Sequence, residues 1–183
     1  MLEALLAAHA APTLACLKCA SLVTARLTDP AAFGRQASAL RVRLLGRGVS
    51  LTLLRVQDGS AQVFVYREKL LAEILRQPEV QAFLRELGYE RFDVRGALQT
   101  LRGRMRDLTD FPHEIGVFLG YPLADVRAFI AHGGHDCAAC GCWKAYGNVC
   151  EANRIFACWQ ACQEKFLREY RQGRTLEQLT VAA

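Results

Sequence analysis

Between Phe111 and Cys162 the chain gathers most of its chemistry-bearing side chains: His113-Glu114, His132, His135, six of the eight cysteines, and the run Trp143-Lys144-Ala145-Tyr146. Three constellations follow from type and spacing. The first is His113-Glu114 directly after Pro112. Proline suits the first turn of a helix, because the N–H it lacks would have no partner there. The two residues after it would meet the positive end of the helix dipole, which favours a carboxylate and a neutral imidazole. Such a pair can ligate a metal or act as a general base. It is also an ordinary helix start. No second His stands four residues after His113, so the zincin pattern is missing.

The second constellation is Cys137 and Cys140 in C-x-x-C spacing, with Cys142 and His135 close by. Two thiolates so spaced can reach one ion from a tight turn, as in structural zinc sites. Cys137, Cys140, Cys142 and His135 are therefore the candidate ligands for zinc or iron. The same spacing suits a redox pair in which one thiolate attacks and the other resolves. Cys16 and Cys19 form a second C-x-x-C that would complete a four-thiolate site if the fold brought it near. The plain alternative is core filling, since cysteine is a small, readily buried hydrophobe. Cys158, beside Phe156 and Trp159 in a helical pattern, is expected in the core, with Cys162 on the same face at i+4.

The third is Tyr66-Arg67 at a strand end, together with Trp143, Lys144 and Tyr146 on an expected strand. Arg67, Trp143, Lys144 and Tyr146 could hold an anionic ligand or a flat cofactor. The alternative is that the aromatic rings are sheet core with polar tips at the rim. Residues 112–131 also fit a helix-turn-helix, with Gly116 in the first helix, Gly120 at the turn and Val126 six residues on. Its second helix, however, offers only Arg127 to read a base or phosphate.

The elements that must position these groups can be read from punctuation and periodicity. Residues 1–9 form a short helix stopped by Pro12, and 13–27 read as a second helix. Asp29-Pro30 opens the next, with Phe33, Leu40 and Leu44 on its apolar side. VSLTLLRV, Asp58-Gly59-Ser60 and AQVFVYR signal a hairpin over 49–66. Helices follow over 67–76, from Pro78, and over 93–107, then two short ones split at Gly120-Tyr121-Pro122. CWKAY supplies a strand near 141–146, and a long helix spans 149–171. The expected fold is α+β: a small antiparallel sheet, the hairpin plus the strand near 141–146, covered by about seven to nine helices. Residues 1–183 are expected to form a single domain, with 174–183 as a loose C-terminal tail.

Composition narrows the setting. The 183 residues are 52% apolar, enough for a buried core and too apolar for a disordered chain. No stretch of about 18 uncharged apolar residues exists, so no membrane partner is expected. The start lacks a basic region, carries Glu3 early and is interrupted by Pro12, which reads as a mature cytoplasmic N-terminus. The net charge of +5 gathers at Arg91, Arg95, Arg102, Arg104 and Arg106, a solvated helix face or a contact for nucleic acid.

HAAPTLACLK near the start, the strand ending VFVYR, FPHEIGVFLGYPLADVRAFI and CGCWKAYGNVCEANRIFACWQAC carry a resemblance. The chain is identified through them as a member of the family named domain of unknown function 3793, found mainly in anaerobic bacteria. The family pattern resembles this sequence at Pro12-Thr13-Leu14, Tyr66-Arg67, Pro112-His113-Glu114, Gly120-Tyr121-Pro122, Cys140-Gly141, Trp143-Lys144 and Cys162. The chain departs from it at Cys142, where an aromatic residue is expected, and carries extra thiols at Cys16, Cys19, Cys137, Cys150 and Cys158. The resemblance implies a setting in redox or iron physiology, and the pair Cys140 and Cys162 as the thiols that matter. The expectation is a cytoplasmic accessory protein of anaerobic redox or iron metabolism that binds a metal or redox cofactor or uses reactive thiols. The alternatives are a DNA-binding module at 112–131 and an interaction module docking a flavodoxin-like acidic protein through the arginines.

Overall fold

Asp58 and Gly59 both adopt positive φ, +49° and +68°, the combination that a two-residue hairpin turn requires and that Asp-Gly tolerates. They join two of the three strands in the main sheet. The computed structural model describes residues 2–107 and 111–182, with the side chain of Asp107 left aside. Among these residues are ten helices and five strands, an α+β fold as the sequence implies, with slightly more helices than expected. The chain divides into two compact units, Met1–Leu71 with Cys162–Ala183, and Ala72–Ala161. Each is described by itself.

In the first unit, α1 (Leu2–His9) and the single turn α2 (Ala11–Leu14) lead into β1 (Ala20–Arg26). α3 (Pro30–Leu45) follows, then the hairpin of β2 (Ser50–Gln57) and β3 (Ser60–Tyr66). The sheet is antiparallel in the order β1-β3-β2, with a register shift between Leu53 and Arg55 in β2. Asp29 caps α3 by accepting from the Ala32 N–H at 2.9 Å, with Pro30 in its first turn. Val23, Ala25, Ala61, Val63 and Val65 from the sheet meet Leu6, Phe33, Leu40, Leu44, Phe166 and Leu176 in one apolar core.

Three expectations are corrected here. Residues 13–27 are not one helix: α2 ends at Leu14, Cys16 turns with φ +61°, and Ala20–Arg26 becomes a strand. The reason is non-local, because β3 is flanked on both sides and β1 fills its second edge with Leu22, Val23 and Thr24, residues that suit a pleated surface. CWKAY therefore does not provide the main sheet's third strand. It contributes to a separate two-stranded ladder in the second unit. As far as residue 182, the C-terminal segment is not loose. α10 (Leu176–Leu179) has a capping box between Thr175 and Gln178, Leu176 and Thr180 are buried, and the Val181 N–H donates to the Leu14 carbonyl at 3.0 Å.

α4 (Glu68–Leu75) carries the chain out of the first unit. The second unit then contains α5 (Pro78–Glu86), α6 (Val94–Asp107), α7 (Ile115–Phe118), α8 (Leu123–Ala131), and a ladder of β4 (Ala139–Cys140) with β5 (Lys144–Ala145). The first half of α9 (Val149–Arg171) completes it. α6 buries Val94, Ala97, Leu98, Leu101 and Met105 at helical spacing. Among the described residues, no helix is long and apolar enough to cross a membrane.

Candidate functional site

In the second unit α7, α8 and the β4–β5 ladder wall a cleft of about 360 Å³. Its position is set by one buried carboxylate. Asp125, 6% exposed, lies in the first turn of α8. Its Oδ2 accepts from the Trp143 indole N–H at 2.8 Å, and its Oδ1 accepts from the backbone N–H groups of Tyr146 at 2.9 Å and Gly147 at 3.1 Å. These bonds satisfy a charge that would otherwise be costly to bury. They fix the β5 segment against α8.

Trp143 then becomes the cleft's aromatic floor. It stacks on Tyr121 at 5.3 Å between ring centroids, meets Phe156 edge-on at 4.5 Å, and lies 5.6 Å from Trp159. Two glycines permit the close packing. A Cβ on Gly116 would fall 2.8 Å from Val126 Cγ2, and one on Gly141 would fall 2.3 Å from the Phe156 ring. The Tyr121 hydroxyl donates to the Cys142 carbonyl at 2.9 Å and holds the tip of the ladder.

Of the residues singled out from sequence, His113, Cys140, Trp143 and Lys144 come together along this cleft. Cys140 and Lys144 are register partners across the ladder. Directly opposed residues of an antiparallel pair present their side chains on the same face, with Cβ atoms about 5 Å apart. The Cys140 side is exposed. The Lys144 ammonium donates to the Gly134 carbonyl at 2.5 Å and sits 6.0 Å from the Phe129 ring centroid. Two of its three donors remain for a ligand. The exposed His113 ring meets Phe129 edge-on at 5.0 Å. The cleft can thus enclose a flat apolar body and offer a cation, a thiol and an imidazole at its rim.

Glu114 has a different role from the one its position at a helix start suggests. It occupies the cap position of α7 without a capping bond, and its carboxylate is buried. Oε1 accepts from Arg104 Nε at 2.5 Å and from the Tyr89 hydroxyl at 3.1 Å. Arg104 also donates to the Leu87 carbonyl at 2.9 Å. Burial first, and the Glu114 carboxylate second, push the Tyr89 phenol well above its ordinary range. The charge-assisted bonds inside the unit outweigh a cap on a four-residue helix.

Arg67 is likewise structural. It is 1% exposed, and its guanidinium donates to the carbonyls of Thr13 at 2.8 Å, Leu14 at 2.5 Å, Val181 at 2.8 Å and Arg47 at 3.2 Å. It caps the last turn of α2 and ties the C-terminal segment to it. The cofactor role read from its sequence position is corrected accordingly: its fork is spent on four backbone acceptors.

Tyr146 stands outside the cleft lining. Its ring stacks on His132 at 5.5 Å, and its hydroxyl is buried with no hydrogen-bond partner among the described residues. Cys137, Cys142 and His135 also lie outside that lining. Among the described residues, no three His, Cys, Asp or Glu side chains are placed to hold one ion. Cys162 belongs to the first unit, where it packs against the apolar core. All eight cysteines are thiols, and only Cys19 is buried. Cys158, expected in the core, is exposed. Core filling therefore describes Cys19, whose thiol burial pushes up to about 12 despite the opposing charge of Lys18.

Gly116 lies close against Val126, and Gly120 turns with φ +78°. α7 is a single turn, however, and Arg127 lies over the Phe83 ring at 5.2 Å. Sequence reasoning missed Asp125, Tyr121 and Phe129 as site-builders. An acidic residue in the first turn of a helix reads as a dipole partner, and nothing local shows that it is turned inward.

The model of the family described as "Protein of unknown function (DUF3793)" matches residues 6–180, so the chain belongs to that family over nearly its whole length. No curated protein and no solved structure matches it.

Proposed function

We propose that this member of the DUF3793 family is an accessory protein of redox metabolism that takes a flat, largely apolar organic molecule into the cleft of its second unit and uses the thiol at its rim. The observation that carries the reading is the juxtaposition of Cys140 and Lys144 as cross-strand partners on the lining of an aromatic-walled cleft. Ligand pockets are commonly apolar with a few convergent polar groups, and about 360 Å³ lies within their usual size range. Trp143, Tyr121 and Phe129 would face the ligand's ring. The spare donors of Lys144 would meet a carboxylate or carbonyl oxygen.

The test is titration of the untagged, reduced protein with naphthalene-2-carboxylate, read by Trp143 and Trp159 fluorescence. Saturable quenching is expected, weakened about ten-fold in Lys144→Met by loss of one charge-assisted hydrogen bond. Absence of saturation up to millimolar ligand, with the protein folded, overturns the reading.

A second reading rests on α6. Arg95, Gln99, Arg102 and Arg106 are all exposed and follow one another at i, i+4, i+7 and i+11. This basic stripe, flanking the helix's buried face, suits docking of an acidic protein of the flavodoxin type. Arg95→Glu with Arg102→Glu should abolish salt-sensitive association with such a partner. Unchanged association would exclude this surface.

A further inference from the structure

Resting on the cleft reading above, we infer that the ligand class is a planar conjugated dicarbonyl, a quinone, and that Cys140 adds to its ring while Lys144 holds the carbonyl oxygen. The cleft supplies three things that such a molecule needs and a simple aromatic acid does not. Its walls are rings: Trp143 stacked on Tyr121, and Phe129 with His113 edge-on against it. Its cation is anchored, because the Gly134 carbonyl accepts one N–H of Lys144 at 2.5 Å and leaves two for the ligand. Its nucleophile stands beside that cation, since Cys140 and Lys144 are direct partners in the two-stranded ladder. Conjugate addition requires this separation of roles: a thiol at the ring carbon and a donor at the oxygen that gains electron density.

The step balances without another reactant. Cys140 sulfur forms a C–S bond to the ring carbon as the adjacent C=C π bond breaks. The electron pair moves through the conjugated system onto the carbonyl oxygen bonded to Lys144. The thiol proton and the displaced ring C–H proton end on the two oxygens. The product is a hydroquinone thioether: the quinone oxygens have become hydroxyls, and the attacked ring carbon has exchanged hydrogen for sulfur.

Two exposed thiols elsewhere, Cys150 and Cys158, serve as internal references in the same molecule. The experiment treats full-length reduced protein with limiting 1,4-naphthoquinone and maps adduct formation at each cysteine over time by peptide mass spectrometry. Parallel samples receive iodoacetamide, which has no ring to stack and no conjugated acceptor. Cys140 should react with the quinone about ten-fold faster than Cys150 and Cys158, an advantage that falls to near unity in Lys144→Met, the effect of one charge-assisted hydrogen bond. Iodoacetamide should show no such preference. Equal quinone rates at the three cysteines, or the same preference with iodoacetamide, overturn the inference. Saturable naphthalene-2-carboxylate binding without selective addition at Cys140 sinks the quinone assignment alone. Loss of both removes the cleft reading with it.

Discussion

The carboxylate of Asp125 accepts the indole N–H of Trp143 at 2.8 Å, and this one bond joins helix α8 to the strand that carries Lys144. The second oxygen of the same carboxylate takes the N–H groups of Tyr146 and Gly147. One side chain, 18 residues before Trp143 in the chain, thus decides where the cleft's floor lies.

Asp125→Ala should leave three donors without their acceptor in a mostly buried setting. A loss of roughly 3–5 kcal/mol is expected, because unpaired buried donors lose their hydrogen bonds and gain no water. Urea unfolding followed by tryptophan fluorescence measures it. Asp125→Asn, which keeps an acceptor oxygen, should lose less. Equal losses in the two variants would mean that the carboxylate's charge, rather than its acceptor geometry, matters.

Arg67→Lys should destabilise the first unit although charge is conserved. Four carbonyls converge on a planar fork that a single ammonium cannot reproduce. The expected cost is roughly 2–4 kcal/mol in chemical denaturation, from two or more lost charge-assisted bonds. A variant as stable as the parent would show that water replaces them at no cost.

Stability should fall as pH rises into the alkaline range. Burial holds the Cys19 thiol at about 12 against an ordinary 9.0, and holds the Tyr89 phenol above its ordinary 10.0. Above the ordinary values the unfolded chain has released protons that the folded chain keeps, so the folded state binds more protons and loses ground with pH. The stability from both groups is complete below pH 9 and declines above it. Cys19→Ala and Tyr89→Phe together should flatten the pH dependence of the unfolding midpoint between 9 and 12. An unchanged slope in the double variant would assign the decline to other groups.

Gly141→Ala and Gly103→Ala should move stability in opposite directions. At Gly141 a methyl would lie 2.3 Å from the Phe156 ring that packs edge-on against Trp143. A cost of about 1–3 kcal/mol is expected from overpacking. Gly103 is inside α6, where the added Cβ would meet nothing within 4 Å among the described residues apart from its chain neighbours and the helix's own backbone, and alanine there should gain about 0.5–1 kcal/mol from helix propensity. Thermal melts of the two variants settle the comparison, and a shared sign would contradict the packing argument.

Much of the fold was legible because its signals are local. Asp58-Gly59 needs no distant partner to make a hairpin turn, and Asp29-Pro30 supplies a cap and a first-turn residue within four positions. The 3.6-residue periodicity of α9 names its own span, Val149–Arg171. The α+β class and the clustering of chemistry after Phe111 also follow from the chain itself, as does the resemblance that the family match over 6–180 bears out. What the tertiary structure alone decided depends on partners far away in sequence. Ala20–Arg26 is a strand because β3 offers it an open edge across some forty residues. Glu114 is a buried ion-pair member because Arg104 and Tyr89 converge on it. Arg67 is a staple because four carbonyls from three segments meet there, and Cys140 and Lys144 become neighbours through the ladder's register. Backbone propensity acts over a few residues, whereas burial, pairing and charge complementarity act through space, and sequence spacing alone does not measure that distance.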